Sequence, residues 1–298
     1  MTTHWGYLHL AFAQHALIAA SIVAVISGVV GPFVITRGMS FAVHGAAELA
    51  LTGAAAGLLI ANDAVSGALV GSVVVAGAFG VLAVRERERD SAIGVVLGLG
   101  LGLGFYLLHF YHGFETEALD ILVGQITSVG TTQIEILVAV ALAVLVAMIA
   151  LYRPLTFASV DLDLAEARGV RTRLVGLLFL LLLCVTVTEA AQVVGTVLVL
   201  SLVITPAAAA QRLSAHPGVV IGLSTVFALI AADGGLLVNI VYVPDVRASS
   251  FITFIAFAIY ALARIAAATR HSLGGRGELP ADPEHSDATA DVTDGAVG

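Results

Sequence analysis

Two ionisable side chains, His44 and Glu48, lie four residues apart in a stretch of sequence that is otherwise almost wholly apolar. On a helix this spacing places both side chains on one face, with Cβ atoms about 6 Å apart. An imidazole nitrogen and a carboxylate oxygen can then bind one divalent cation at roughly 2.0–2.2 Å. Such ligands suit zinc or manganese without choosing between them. A hydrogen bond between the two side chains, facing a protein interior, explains the spacing equally well.

The segment that carries this pair must lie in a membrane. The chain has 298 residues, of which 59% are hydrophobic and 11% charged, whereas soluble domains carry roughly 25% charge. Only the uncharged residues 49–62 separate Glu48 from Asp63, and a crossing needs about 20. A spanning helix must therefore begin near Phe41 and include His44 and Glu48, although a charged side chain costs roughly 2.5–3.5 kcal/mol at a helix centre.

The remaining apolar stretches predict an all-α, polytopic membrane protein with about nine transmembrane helices. The stretch Leu174–Gln211 is too long for one crossing, so we expect two helices that fold back at Thr188–Gln192; eight spans remain if it crosses once. The other predicted spans are Ala11–Ile35, the helix from Phe41, Ala64–Val84, Ser91–Phe110, Ile136–Tyr152, Val219–Val243 and Ala248–Ala268.

The arginines test this count, because basic residues collect in the cytoplasmic loops of membrane proteins. With nine spans and the N-terminus outside, twelve of the thirteen basic residues fall inside and only Arg247 falls outside. A single crossing through Leu174–Gln211 would invert every later loop and spoil this pattern. The sequence thus predicts a multi-pass plasma-membrane protein with a transmembrane domain at residues 1–270 and a disordered, acidic cytoplasmic tail at residues 271–298.

Two further acidic residues lie in apolar stretches. Glu189 falls at the predicted outer turn, which favours an interfacial loop. Asp233 precedes Gly234 and Gly235, where we expect a break in the helix, and Asp is a good N-cap for a second half-helix.

One predicted cytoplasmic loop is long and contains helix signals. Asp161 can cap a short amphipathic helix over Leu162–Arg168, which Gly169 would end. Such a helix, held between two spans, can dock on a cytoplasmic partner. An ordinary surface helix would carry the same charges.

Several functions are excluded by what the sequence lacks. It has no Walker-type phosphate loop, nucleophile elbow or HExxH motif, so we expect a protein that is not itself an enzyme. It has no basic patch for a nucleic acid. A single cysteine, Cys184, allows no disulfide or thiolate metal cluster within one chain.

Taken in order, several segments resemble the membrane permease of zinc/manganese-type ATP-binding-cassette (ABC) importers, to about residue 270. The most specific is 194–210, which begins Val-Gly-Thr and ends Pro-Ala-Ala-Ala-Ala; the others are 33–41 with His44, Glu48 and Gly53, then 122–125 and 163–170. The family usually has Asp where His44 stands and His where Glu48 stands, so this chain keeps the donors and exchanges their order. Gln125 stands where the family is usually acidic, which weakens a ligand role there.

The resemblance implies a permease that pairs with a second copy or a paralogue in the lipid bilayer. Cytoplasmic ATPase subunits would hydrolyse the ATP, and an extracytoplasmic protein would deliver the metal. His44 and Glu48 would bind the transported zinc or manganese or form a gate, and no cofactor would be bound permanently. The residues implied in coupling to the ATPase are Asp163, Glu166, Ala167, Arg168 and Gly169.

Three rival functions stay open. An ABC permease for an iron-chelator or vitamin-like ligand would share the docking segment but need no metal pair. A secondary transporter driven by an ion gradient would use Glu48, Glu189 and Asp233 as ion sites. An intramembrane enzyme would use the pair to hold catalytic zinc, but a third ligand is not evident.

Overall fold

The computed structural model describes residues 11–82, 89–110, 130–160, 162–243 and 246–274. Every regular element in these residues is an α-helix, as the apolar stretches predict. The helices are α1 (Ala11–Thr36), α2 (Ser40–Ala61), α3 (Ala64–Leu82), α4 (Arg89–His109), α5 (Thr131–Val160), α6 (Leu162–Ala167), α7 (Thr172–Val194), α8 (Thr196–Leu213), α9 (Pro217–Tyr242) and α10 (Ala248–Gly274).

The membrane spans follow the predicted count closely. In the described part of the chain, eight helices are long and apolar enough to cross a membrane, and α8 is a shorter apolar helix. The all-α, polytopic fold is therefore confirmed. The division between residues 1–270 and the tail stays a prediction, because residues 275–298 lie outside the description.

The stretch Leu174–Gln211 does form two helices, but the predicted turn at Thr188–Gln192 is wrong. The chain breaks at Gly195, whose φ of 93° favours glycine. Glu189 consequently lies inside α7 and is only 3% exposed. The prediction assigned the turn to the polar residues Thr188–Gln192. The backbone instead turns at Gly195, where glycine permits a positive φ.

Side-chain contacts bring several helix ends together at one end of the bundle. Arg37, just after α1, donates from Nε to the hydroxyl of Ser159 in α5 at 3.2 Å. Gln211, near the end of α8, donates to the carbonyl of Pro32 in α1 at 3.2 Å. Since α7 begins at this end and α8 returns to it, the two helices run in opposite directions, as a double crossing requires.

The helices divide into a buried group and an exposed group. Most of α1, α2 and α7 is buried, whereas little of α3, α4 and α10 is buried. The exposed helices present large apolar side chains, such as Val74, Leu99 and Phe254. An apolar outer surface of this kind suits a helix that faces lipid.

Glycines set the close packing of α2 against α3. A Cβ atom added to Gly57 would lie 2.5 Å from the Cα atom of Gly67, and one added to Gly71 would lie 2.7 Å from the Cα atom of Gly53. Small residues of this kind let helix backbones approach closely in membranes. This contact fixes α2, the helix that carries His44 and Glu48.

Candidate functional site

Helix α2 brings His44 and Glu48 together on one exposed face. It begins at Ser40 and ends before Asn62, whose left-handed conformation (φ 54°) stops the helix. The imidazole Nε2 atom lies 3.2 Å from the carboxylate Oε1 atom, and the two side chains are 42% and 27% exposed. Placing the two donors in contact agrees with the expectation from their spacing.

The separation of the two donor atoms fits the ligands of one cation. Two ligands at about 2.1 Å from a metal lie about 3.0 Å apart at a right angle and about 3.4 Å apart at a tetrahedral angle. The observed 3.2 Å lies between these values. A direct hydrogen bond has a similar length, so the pair can exist closed without metal and open slightly around it.

The pair lies near one end of the membrane-spanning segment. His44 is four residues after Ser40, the first residue of α2, which corresponds to about 6 Å along the helix axis. The ring of Phe41 lies beside it, with centroids 6.3 Å apart. The face next to the pair packs inward, where Gly45 abuts Phe79 of α3 and Ile93 of α4.

The described residues of one chain do not form a complete metal site of their own. Among the described residues there is no group of three or more His, Cys, Asp or Glu side chains that could hold a metal ion. Structural and catalytic zinc sites use about three or four protein ligands. A metal bound by the His44–Glu48 pair would therefore need further ligands, and the partial exposure of both side chains leaves room for them.

Two other acidic side chains within the spans, Glu189 and Asp233, have hydrogen-bond partners inside the chain. Glu189 accepts a hydrogen bond from the side-chain amide of Gln192 at 3.3 Å. Asp233 accepts from the hydroxyl of Ser21 in α1, at 2.9 Å and 3.1 Å to its two oxygens. The expected helix break at Asp233 is wrong, because α9 continues through it to Tyr242. Glu189 is thus bonded within its own helix, and Asp233 is bonded across the contact between α1 and α9.

The segment expected to dock on a partner forms the short helix that the sequence predicts. Helix α6 covers Leu162–Ala167, and Gly169 follows with a φ of 81°, which ends the helix. Asp163 and Glu166 lie within it, and Glu166, Ala167, Arg168 and Gly169 are exposed. The predicted cap, Asp161, and the segment 122–125 with Gln125 lie outside the described residues.

Helix α6 is fastened to the start of α7. The hydroxyl of Thr172, the first residue of α7, donates to the Glu166 carboxylate at 2.5 Å. The backbone N–H of Val170 also donates to the carbonyl of Ala165 at 3.0 Å, which closes the turn after the helix. The sequence did not predict the role of Thr172, because a spacing of six residues between a hydroxyl and an acid matches no known local motif.

The chain is similar in sequence to known membrane transport proteins. The profile of the ABC 3 transport family matches residues 9–267. The manganese transport system membrane protein MntC of Halalkalibacterium halodurans is 32% identical over 257 residues, which cover 86% of this chain and 87% of that protein. The manganese import system permease protein ScaB of Streptococcus parasanguinis is 30% identical over 214 residues, 69% of this chain and 73% of that protein.

Solved structures share the fold. The structure titled PsaBC from Streptococcus pneumoniae in complex with Fab matches with a TM-score of 0.79 and 30% identity, covering 91% of this chain and 98% of that one. A putative metal-chelate type ABC transporter in an inward-facing conformation matches with a TM-score of 0.64 at 13% identity, which shows the fold alone. The family match covers most of the sequence, and the chain belongs to the ABC 3 transport family.

Proposed function

We propose that this chain is the membrane permease subunit of an ATP-driven importer of divalent metal ions, manganese or zinc. The observation that carries the proposal is the exposed His44–Glu48 pair, whose donor atoms lie 3.2 Å apart on an apolar helix. Relatives named as manganese transport proteins favour manganese as the first metal to test. Nitrogen and oxygen donors are compatible with both metals.

A second copy of the permease would complete the metal site. Each chain offers one imidazole and one carboxylate from the exposed face of α2. Two such pairs facing each other would supply four protein ligands, the number that zinc sites commonly use. A homodimer is the simplest assembly that provides them, and a paralogue carrying an equivalent pair would serve equally.

The proposed function includes two kinds of partner protein. The segment Asp163–Gly169, whose residues 166–169 are exposed, would dock on cytoplasmic ATPase subunits. These subunits would supply the energy for a rigid-body switch between outward and inward access. An extracytoplasmic binding protein would deliver the metal. The arginine-bearing end of the bundle would face the cytoplasm, which places the N-terminus outside and residues 271–298 inside.

The test is metal uptake into vesicles that contain the permease, its ATPase subunits and its binding protein. We expect uptake of radioactive manganese or zinc. This uptake should require ATP on the side of the membrane where the ATPase subunits lie. His44→Ala and Glu48→Ala should each abolish it while the assembled complex keeps its size on gel filtration. His109→Ala, an exposed histidine at the end of α4, is the matched control and should transport normally.

Other results would point elsewhere. Uptake that persists in both α2 variants would make the pair a structural contact. Uptake of an iron chelate with no uptake of free metal would favour a chelate permease instead. Uptake driven by an ion gradient without ATPase subunits would contradict the proposal outright.

A further inference from the structure

Arg37 occupies the junction between the helix that carries the metal pair and the segment proposed to dock on the ATPase. It lies in the turn between α1 and α2, three residues before Ser40. Its Nε atom donates to the hydroxyl of Ser159, in the last turn of α5, at 3.2 Å. The Ser159 hydroxyl in turn donates to the carbonyl of Leu155 at 2.7 Å, which fixes its orientation.

The same side chain also contacts α7. Its guanidinium carbon lies 5.7 Å from the centroid of the buried Phe179 ring, within the range of a cation–π interaction. Phe179 packs edge-on against Phe33 of α1, with centroids 6.2 Å apart. Arg37 therefore joins the α1–α2 turn to α5 and to α7, the two helices that flank α6.

Helix α6 cannot move without disturbing these two helices. It follows the end of α5 at Val160 with only residue 161 between them. At its other end, the bond from Thr172 to Glu166 ties it to the first residue of α7. A displacement of α6 by a docked protein would thus shift Ser159, Phe179 or both.

The turn that holds Arg37 is short and tightly bonded. The backbone N–H of Met39 donates to the carbonyl of Val34 at 2.9 Å, and Gly38 adopts the left-handed conformation that such a turn requires (φ 62°). His44 follows one turn into α2. Movement of Arg37 is therefore passed to the start of α2, close to the metal pair.

We propose that Arg37 is the positioning residue through which movement of α6 reaches the His44–Glu48 pair. The inference rests on the proposed function, because it assumes that α6 docks on an ATPase and that the pair binds metal. Arginine suits this position, since its planar fork can donate to Ser159 while its face lies over Phe179. Lysine keeps the charge but cannot make both contacts in the same geometry.

The test is the amount of metal transported for each ATP hydrolysed by the complete transporter in vesicles. For Arg37→Gln we expect this ratio to fall about tenfold, within the range that mutations along a coupling route produce. ATP hydrolysis and manganese binding by the complex should be retained. Arg37→Lys should be intermediate, and Ser159→Ala should lower the ratio less. Because both act through one contact, the double variant Arg37→Gln/Ser159→Ala should be no worse than Arg37→Gln alone.

Arg212→Gln is the matched control, because Arg212 is an exposed arginine in the last turn of α8 at the same end of the bundle. An unchanged transport ratio in Arg37→Gln would overturn the inference, and so would parallel losses of hydrolysis, metal binding and thermal stability, which indicate a purely structural anchor. Additive effects of Arg37→Gln and Ser159→Ala would also contradict it. Failure of the wild-type complex to transport any metal would instead remove the proposed function, and the inference with it.

Discussion

Glu48 and Glu189 are both carboxylates in apolar membrane helices, but the chain treats them differently. Glu48 is 27% exposed and lies beside an imidazole on the surface of the single chain. Glu189 is 3% exposed and accepts a hydrogen bond from Gln192 within the same helix. The contrast shows that two acidic residues in spans can differ sharply in their access to a ligand. Glu48 is accessible to a ligand because its helix face is partly exposed, whereas Glu189 is buried.

Asp233 resembles Glu189 because it too has a hydrogen-bond partner within the chain. Its two oxygens accept from Ser21 across the contact between α1 and α9. The same two helices approach so closely at Gly28 that an added Cβ atom would lie 2.4 Å from the Cα atom of Thr225. The acid therefore stabilises a tight helix pair, whereas Glu48 contributes to an open face.

The largest loss of stability is expected from disturbing that tight helix pair. Gly28→Val should destabilise the permease by about 3 kcal/mol, because the new side chain meets the backbone of α9 and cannot be accommodated by a rotamer change. Gly94→Val in α4 is the matched control, since a Cβ atom there meets nothing within 4 Å. The measurement is the thermal unfolding midpoint in detergent. Equal midpoints for the two variants would show that the α1–α9 contact is loose.

A smaller loss of stability is expected from Gln192→Leu. The substitution keeps the side-chain volume but removes the donor to Glu189, and leaving a buried polar group without its partner costs about 1–3 kcal/mol. The thermal midpoint should fall, while metal uptake per folded molecule stays at the wild-type level. A raised midpoint would mean that the Glu189 contact does not stabilise the core.

Ser21→Ala should destabilise less, by about 1 kcal/mol, because Asp233 is only partly buried within the chain. Ser21→Thr keeps the donor and should remain close to wild type. Thermal unfolding of the two variants side by side measures the difference. A drop of similar size in both would assign the effect to packing instead of hydrogen bonding.

The smallest effect is expected from exchanging the two donors of the open pair. The double variant His44→Glu/Glu48→His keeps one carboxylate and one imidazole four residues apart, which share a helix face in either order. Manganese uptake should stay within about tenfold of wild type. Mutating a group that only hydrogen-bonds to a metal ligand typically costs about 10–100-fold in affinity or activity, which is a larger loss. Complete loss of uptake would show that the order of the donors matters as well as their identity.

Local patterns predicted much of this fold and part of the site. The spans follow from apolar length, α6 follows from Gly169 and its flanking residues, and the His44–Glu48 contact follows from helical spacing. The turn at Gly195 was missed because the polar residues near Glu189 were given more weight than a glycine, although the glycine was the available signal. The contacts of Asp233 with Ser21 and of Arg37 with Ser159 join residues far apart in sequence, so no local pattern could reveal them.

The metal-binding role of the open α2 pair is tested by comparing Glu48→Gln with Glu189→Gln in one vesicle uptake assay. Both substitutions replace a carboxylate by an amide of nearly the same shape inside a membrane helix. We expect Glu48→Gln to lose manganese or zinc uptake while its complex assembles normally, and Glu189→Gln to transport like wild type. Loss of uptake in Glu189→Gln with retention in Glu48→Gln would contradict the assignment of the open α2 pair as the metal site.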